Sequence, residues 1–591
     1  MNEKGVKRKK KSFFQKSKKY YKKGIQGKGI RIDEESFEYF LHVLKVMNQE
    51  FESEDDKKIF VDNVFEQITG NEVNYSCNQV VSRIIDNLLP LASSIVLSKF
   101  MTAYSEDIRI ICLDPFASFV LQKLISIVTE RYLIHHKNSE DKNYDDENQY
   151  AEWLMKVFKF TLNNYEEFVF DNYANHVMRT SIRCLIGQTN NSTEKSMSTK
   201  EKIMPAEFTE ILKKFTDQFL EWHRFKELAF YNLSSGFLQV LVECLSKTSR
   251  KRSKLITRKL LDECFYSEFI LTDESNDKKN DIKEEKFDFS KILPSFENDS
   301  CIRLLEVVIS VASTKHFTQI YAKCFINRLV QLSCHPTANF AVQKLIRYAQ
   351  EKSEFESIFN ELSVSFKPIL EHGHSGVILQ LCDRCLHHKT QQSVFMQLWM
   401  KYLDCNEPKD SQILVSPLTV FMKRKSEYEF CETNSVQLHG SLLIQNMLKF
   451  NKPIKVINSL LEIKGNTLIN IFCDPKGSHI ADAFFESEFV GEKSKEKLFK
   501  VLRGFYSSLA VSKHGSRVFD IIWKWANVKN RVVIASELLE DEAKLHNNSF
   551  GRPIIHNVSL GSFRHNKEEW IKAQISNNKA KKIFASIISE S

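Results

Sequence analysis

Residues 338–345 read Ala338-Asn339-Phe340-Ala341-Val342-Gln343-Lys344-Leu345, and residues 117–124 read Ala117-Ser118-Phe119-Val120-Leu121-Gln122-Lys123-Leu124. Both run from a small residue through two polar or aromatic residues, two apolar residues and a glutamine to an apolar residue two further on. With the small residue as position 0, the template recurs in eleven windows, at Cys77, Ala117, Ala174, Ser234, Cys301, Ala338, Ser375, Gly440, Gly477, Gly515 and Gly551. Positions 3 and 4 are apolar in every window. Position 7 is apolar in all but the third, where Ser181 precedes Ile182. From Cys301 onward the intervals are 37, 37, 65, 37, 38 and 36 residues. Self-similarity at such a period marks a repeat architecture.

Apolar positions 3, 4 and 7 share one face of an α-helix. Before most windows lies a second amphipathic run, such as Phe325–Leu332, and then a breaker: His335-Pro336, Asp114-Pro115 or Asp474-Pro475. Proline disfavours helix at the residue before it and suits a helix start. A helix pair that cannot bury its own apolar face must stack on its neighbours. The sequence therefore predicts an all-α, right-handed α-solenoid of about eleven repeats. Residues 32–300 and 301–570 form its two halves, and 571–591 a capping helix and tail. Longer intervals read as loop insertions at 137–149, 187–202, 246–258 and 272–290, with a further stretch around Asn406–Asn434.

Composition narrows the classes. Gly and Pro number only 17 and 11 in 591 residues, too few for a turn-rich all-β chain, while 45 Phe supply a core. No apolar run reaches the ~18 residues of a membrane span. The 13 cysteines are scattered in apolar contexts and read as buried thiols. The net charge of +9 is unevenly placed. Residues 1–31 hold 13 Lys or Arg and one acid, so this tail carries +12 and the rest sums to −3. A run of that charge self-repels and is expected to be disordered. It suits a nuclear or nucleolar address read by an importin, or a nonspecific nucleic-acid arm.

Positions 1, 2 and 5 are expected on the face opposite the apolar stripe. In order, they are Asn78/Gln79/Ser82, Ser118/Phe119/Gln122, Asn175/His176/Arg179, Ser235/Gly236/Gln239, Ile302/Arg303/Glu306 and Asn339/Phe340/Gln343. Then come Gly376/Val377/Gln380, Ser441/Leu442/Gln445, Ser478/His479/Asp482, Ser516/Arg517/Asp520 and Arg552/Pro553/His556. Amides offer both donor and acceptor, and Phe, His and Arg offer flat surfaces.

These strings resemble those of the Pumilio (PUF) family, whose repeats read single-stranded RNA at about one base each. The resemblance implies that positions 1 and 5 meet the Watson–Crick edge while position 2 stacks. It implies a uracil preference for Asn339/Gln343 and an adenine preference for Ser118/Gln122, Ser235/Gln239 and Ser441/Gln445. Gly376/Val377 and Arg552/Pro553 depart from the pattern, and Asp482 and Asp520 would repel phosphate. Eleven interrupted repeats, the Ile302-Arg-Leu-Leu-Glu306 window, the Asp474-Pro-Lys-Gly-Ser-His479 string and the basic leader resemble the nucleolar protein 9 branch. That resemblance implies a nucleolar protein of small-subunit ribosome biogenesis, associated with the pre-ribosomal particle. It implies binding to precursor 18S rRNA and shielding of that RNA from premature endonuclease cleavage.

Two other readings fit the repeats: a HEAT-like protein-binding scaffold or transport solenoid, and a cytoplasmic Pumilio-type regulator of messenger RNA 3′ untranslated regions. Cys382-Asp-Arg-Cys385 lies near four histidines, but no second cysteine pair accompanies it and Cys382 falls on the apolar stripe, so no metal is expected. No catalytic signature appears, and neither enzymatic activity nor a cofactor is expected.

Overall fold

The computed structural model describes residues 27–49, 51–137, 144–189, 204–266, 292–428 and 434–576. Among these the architecture is helical throughout, and a single antiparallel bridge joins Gly29 to Asn78. The chain divides at Cys324/Phe325 into two compact units, the first holding windows one to five and the second windows six to eleven. Within each unit, every window's helix packs on the helix of the next window.

Most repeats have three helical segments rather than the expected pair. A first helix is followed by a second, usually shorter one, and then by the helix carrying the window. For window six these are the Thr314–Ile320 helix, Leu329–Cys334 and Ala338–Tyr348; for window ten they are Glu492–Val501, Tyr506–Ala510 and Gly515–Trp525. The run Phe325–Leu332 is not one helix. A π-helical turn ends at Phe325, and Asn327 adopts a left-handed φ of 62° before the short helix starts at Leu329. The carboxylate of Glu361, on the following repeat's long helix, accepts from the Asn327 and Leu329 N–H groups (3.2 and 2.8 Å). Glu537 repeats this, accepting from Gly504 and Tyr506 (2.7 and 2.6 Å). These bonds satisfy helix-start donors that have no partner within their own helix.

In six windows the side chain three places before position 0 accepts N–H groups of the turn that enters the window helix. Asp114, Asp171, Asn298, Asp474 and Asn548 each accept two N–H groups through a side-chain oxygen at 2.7–3.1 Å. His335 does the same through Nδ1. The Asp-Pro pairs thus act chiefly through the aspartate, an N-cap of the helix that follows.

Two expected inserts are instead part of the repeats. Residues 246–258 include the Arg250–Leu260 helix, the long helix of window five, which buries Ile256 and Leu260. The Asn406–Asn434 stretch contains the Pro408–Ile413 and Val415–Phe421 helices, the latter the short helix of window eight. Trp570 sits in the helical segment 567–576, where its Nε1–H donates to the Val558 carbonyl (2.9 Å) and its ring meets Phe563 edge-on. This segment closes the last repeat; 577–591 lie outside the described residues.

Where position 0 is small, backbone approaches it. A β-carbon on Gly477 would run into the Ile471 carbonyl oxygen, six residues earlier on the short helix. In window four the same carbonyl, from Leu228, accepts the Ser234 hydroxyl (2.7 Å). Overpacking a site of this kind costs about 1–3 kcal/mol. Gly477→Val is therefore expected to lower unfolding stability by about 2–3 kcal/mol in a denaturant titration, while Lys497→Ala, on the exposed side of the same unit, changes it by less than about 0.5 kcal/mol.

Candidate nucleic-acid interface

Burial fixes the register of each window. Positions 0, 1, 3, 4, 7 and 8 are buried in windows one to six, eight and nine, and the pattern frays in windows ten and eleven. Position 1 is therefore not on the outward face. On a helix advancing roughly 100° per residue, it lies beside positions 4 and 8, whereas position 2 points away and position 5 sits at the border. Asn78, Ser118, Asn175, Ser235, Ile302, Asn339, Ser441 and Ser478 are all buried.

Two of these residues tie their repeat to the next, and others bond within their own repeat. The Ser235 hydroxyl donates to the Ser300 carbonyl (2.6 Å) and that of Ser441 to the Lys476 carbonyl (2.7 Å), each just before position 0 of the next window. Asn175 donates to the Val169 carbonyl (2.7 Å), and Asn339 to the carbonyls of His335 and Pro336 (2.9 and 2.8 Å).

Window seven is shifted by one residue. The expected reading set Ser375 at position 0. The buried residues Val377, Ile378, Leu381 and Cys382 take positions 3, 4, 7 and 8 only if position 0 is His374. Ser375 then stands at position 1, and its hydroxyl meets Nδ1 of His439 (2.7 Å), just before the next position 0. Gly376 becomes position 2. A β-carbon there would lie 2.6 Å from Gln343 Oε1, and one on Gly236, position 2 of window four, would run into the Arg179 guanidinium. Gln380 accordingly moves to position 6, and Leu379 takes position 5. Three consecutive apolar residues, Val377-Ile378-Leu379, had allowed either register.

Within each unit, position 2 forms the exposed row. Phe119 and Phe340 are 55% and 54% exposed. His176, Arg303, His479, Arg517 and Pro553 are also exposed, while Leu442 is half-buried. Where position 2 is glycine, the preceding position-5 side chain fills the gap, as Arg179 and Gln343 do. Arg179 is half-buried and donates through Nη2 to the Leu233 carbonyl (2.8 Å); burial and Arg183 lower its pKa to about 10. Desolvation and then Arg179 hold His176 below the usual imidazole range.

Position 5 carries one recurring bond. Nε2 of Gln239, Gln343 and Gln445 donates to the position-1 side-chain oxygen of its own window, at 3.2, 2.9 and 2.9 Å. Gln122 donates instead to the Ser118 backbone carbonyl (3.2 Å). The Gln122 carbonyl oxygen in turn accepts from the Thr180 hydroxyl (3.4 Å), and that of Gln343 lies against Gly376. Elsewhere the position differs: Ser82 is buried, Glu306 and Asp520 stand beside Arg303 and Arg517 in their triplets, and Asp482 Oδ2 meets His479 Nδ1 at 3.2 Å. The Arg552 guanidinium donates to the His546 carbonyl, and His556 is exposed. Window three leaves Asn175 Oδ1 and Arg179 Nε buried without a hydrogen-bond partner. Such groups call for an explanation in any native structure.

Window one is covered by the chain itself. Of the tail taken as 1–31, residues 1–26 lie outside the described residues, but 27–31 are ordered against this window. Ile30 N–H donates to the Cys77 carbonyl (3.1 Å), Gln79 N–H to that of Lys28 (3.0 Å), Asn78 Nδ2 to that of Ile30 (3.0 Å), and Lys28 N–H to Gln79 Oε1 (3.0 Å). Positions 1 and 2 are thus both bonded to this strap. Gly29, at φ +96°, lies so close that a β-carbon would meet the Cys77 carbonyl and, at 2.9 Å, the Phe116 ring. Sequence reasoning missed the strap; Gly27 and Gly29 around Lys28 were its signal.

Among the described residues no cluster of His, Cys, Asp and Glu could hold a metal ion, and no helix is long and apolar enough to cross a membrane. Burial pushes the Cys382 and Cys385 thiols up, which leaves them poor thiolates.

Three-helix repeats whose third helix exposes position 2 and half-exposes position 5 define a PUF-repeat solenoid. The match of residues 70–553 to the NOP9-like PUF repeat domain shows that the chain belongs to that family. It is 25% identical to mouse nucleolar protein 9 over 94% of this chain and 91% of the relative. Fission-yeast nucleolar protein 9 is 24% identical, over 93% and 85%. Pumilio homolog 23 of Arabidopsis thaliana is 22% identical, over 94% and 75%. The solved structure of APUM23–GGAGUUGACGG shares the fold with a TM-score of 0.72 at 22% identity, covering 92% of this chain and 99% of that one. The name borne by the mouse, human and fission-yeast relatives puts the chain in the nucleolus.

The strap has a direct test. Gly29→Val should release residues 27–31, and tryptic cleavage after Lys28 and Arg31 should speed up about tenfold, the change expected when ~1.4 kcal/mol of local stability is lost. An unchanged cleavage rate would show that the strap does not depend on this close approach.

Proposed function

We propose that the chain binds single-stranded RNA along the position-2 and position-5 rows, and that its RNA is a segment of precursor 18S rRNA. The observation that carries this reading is the exposed flat side chains at position 2, Phe119 and His176 in the first unit and Phe340 and His479 in the second, with the amides of Gln122, Gln239, Gln343 and Gln445 at position 5 of their units. Exposed rings at repeat spacing supply stacking platforms, and carbonyl oxygens select base edges that offer an N–H. Position 1 contributes by holding the position-5 amide, not by reaching the base itself. Arg179 is planar and lies where Gly236 leaves a gap, so it serves as a stacking surface in window four. Window one, under its strap, binds no base.

The residues proposed to contact RNA are therefore Phe119, Gln122, His176, Arg179, Gln239, Arg303, Glu306, Phe340, Gln343, Gln445, His479, Asp482, Arg517, Asp520, Arg552 and His556. The relatives named nucleolar protein 9 support action within the pre-ribosomal particle. There the protein works by occlusion: RNA held along the row is closed to an endonuclease until it is released. The basic segment preceding the strap serves an importin or adds phosphate contacts.

Stacking on an aromatic side chain is worth about 1–3 kcal/mol per base. Phe340→Ala should thus weaken single-stranded RNA binding by roughly 5- to 150-fold in an anisotropy titration. Gln380→Ala, at position 6, should change it less than twofold. Equal effects of the two substitutions would contradict the row.

A further inference from the structure

The Arg250–Leu260 helix has a second side. It holds six Lys or Arg in ten residues, Arg250-Lys-Arg-Ser-Lys-Leu-Ile-Thr-Arg-Lys259, in a chain whose net charge beyond residue 31 is −3. Its apolar side, with Ile256 and Leu260, packs into the repeat. Its exposed side joins the Thr314–Ile320 helix and the π-helical turn after it around a cleft of about 450 Å³. Lys254, Arg258, Lys315, His316 and Lys323 line that cleft against a single carboxylate, Asp262. Asp262 is shared by Lys323 (2.8 Å) and Arg258 (3.6 Å). Lys254 and Lys315 have no carboxylate partner among the described residues. Burial and then Lys254, Lys315 and Arg258 hold His316 below the usual imidazole range, with Asp262 opposing them, a sign of the positive field there.

We infer that this patch is a second RNA contact, taking the phosphate backbone of the RNA that flanks the strand held by the position-2 row. Three features favour a polyanionic backbone over a point anion. The cations form a track: Arg250, Lys254 and Arg258 succeed one another at i, i+4 and i+8, about 6 Å apart along the helix axis. The track continues onto the neighbouring helix through Lys315 and Lys323. The patch holds no flat exposed ring, so it suits contacts that position RNA without reading sequence. It lies on the long helices and shares no residue with the row of window helices, so one RNA can occupy both.

The inference rests on the RNA-binding reading and is tested beside it. The full chain is titrated with two RNAs, a short single strand and the same strand flanked by a hairpin, at several salt concentrations. Lys254→Glu/Lys315→Glu should weaken the hairpin-bearing RNA about tenfold and make its log–log salt slope shallower by about 1.5, the effect of two lost phosphate contacts. The short strand should be unaffected. Lys254→Gln/Lys315→Gln should act in the same direction, and an unchanged thermal melt certifies the fold. If both RNAs bind the variant as they bind the wild type, the patch is not an RNA contact while the row reading stands. If both weaken equally, the substitutions act through general charge and the inference falls. If poly-glutamate binding alone is lost, the patch serves an acidic protein and the inference is overturned. If the wild type retains neither RNA, the RNA reading itself fails and takes the patch with it.

Discussion

The close approach of the short helix to position 0 is the contact on which the rest of each repeat depends. In repeats of this kind no single unit can bury its apolar face, so stability is a sum over neighbours. The carbonyl six residues before Gly477 reaches the window helix because nothing projects from position 0. That fixes the rotation of the window helix about its axis. Rotation in turn decides that position 1 is buried, that position 2 faces solvent, and that position 5 sits between them. Every chemical property of the row follows from that angle.

The fold was largely legible because the apolar stripe repeats with small residues at a constant offset. What was not legible has physical causes. The short helices span as few as three residues, as at Phe225–Glu227 and Pro294–Phe296, too short to show a period. The Arg250–Leu260 helix passed for a polar insert because six cations mask its few apolar anchors. The register of window seven was ambiguous because its position-0 residue, His374, is not small while Ser375 is, and three apolar residues, Val377-Ile378-Leu379, fit either register. Position 1 was misjudged because a polar residue suggests exposure, whereas Ser235, Asn339 and Ser441 spend their polar groups inside the protein. The domain division at Cys324/Phe325 had no compositional signal, and it leaves the Cys301 window with the first unit.

Under the proposed function, the burial of position 1 leaves base selection to position 5. In windows four, six and eight a serine or asparagine is tied into the protein and in turn orients a glutamine. If that amide meets the base as proposed, its orientation in the free protein lowers the cost of ordering it when RNA arrives. Windows nine to eleven lack that arrangement, with Asp482 bonded to His479 and Arg552 to the His546 carbonyl. On the proposed reading, recognition is uneven along the chain, strongest where an aromatic residue and a position-5 amide share a window, as at Phe119/Gln122 and Phe340/Gln343.

Photocrosslinking tests the central claim most directly. Full-length protein bound to 4-thiouridine-containing single-stranded RNA would be irradiated, digested and mapped by mass spectrometry. The account predicts adducts on the window helices, at or beside Phe119, His176, Phe340 and His479, with none on the window-one helix Val81–Leu88. Adducts confined to the long helices, or spread without relation to position 2, would contradict it.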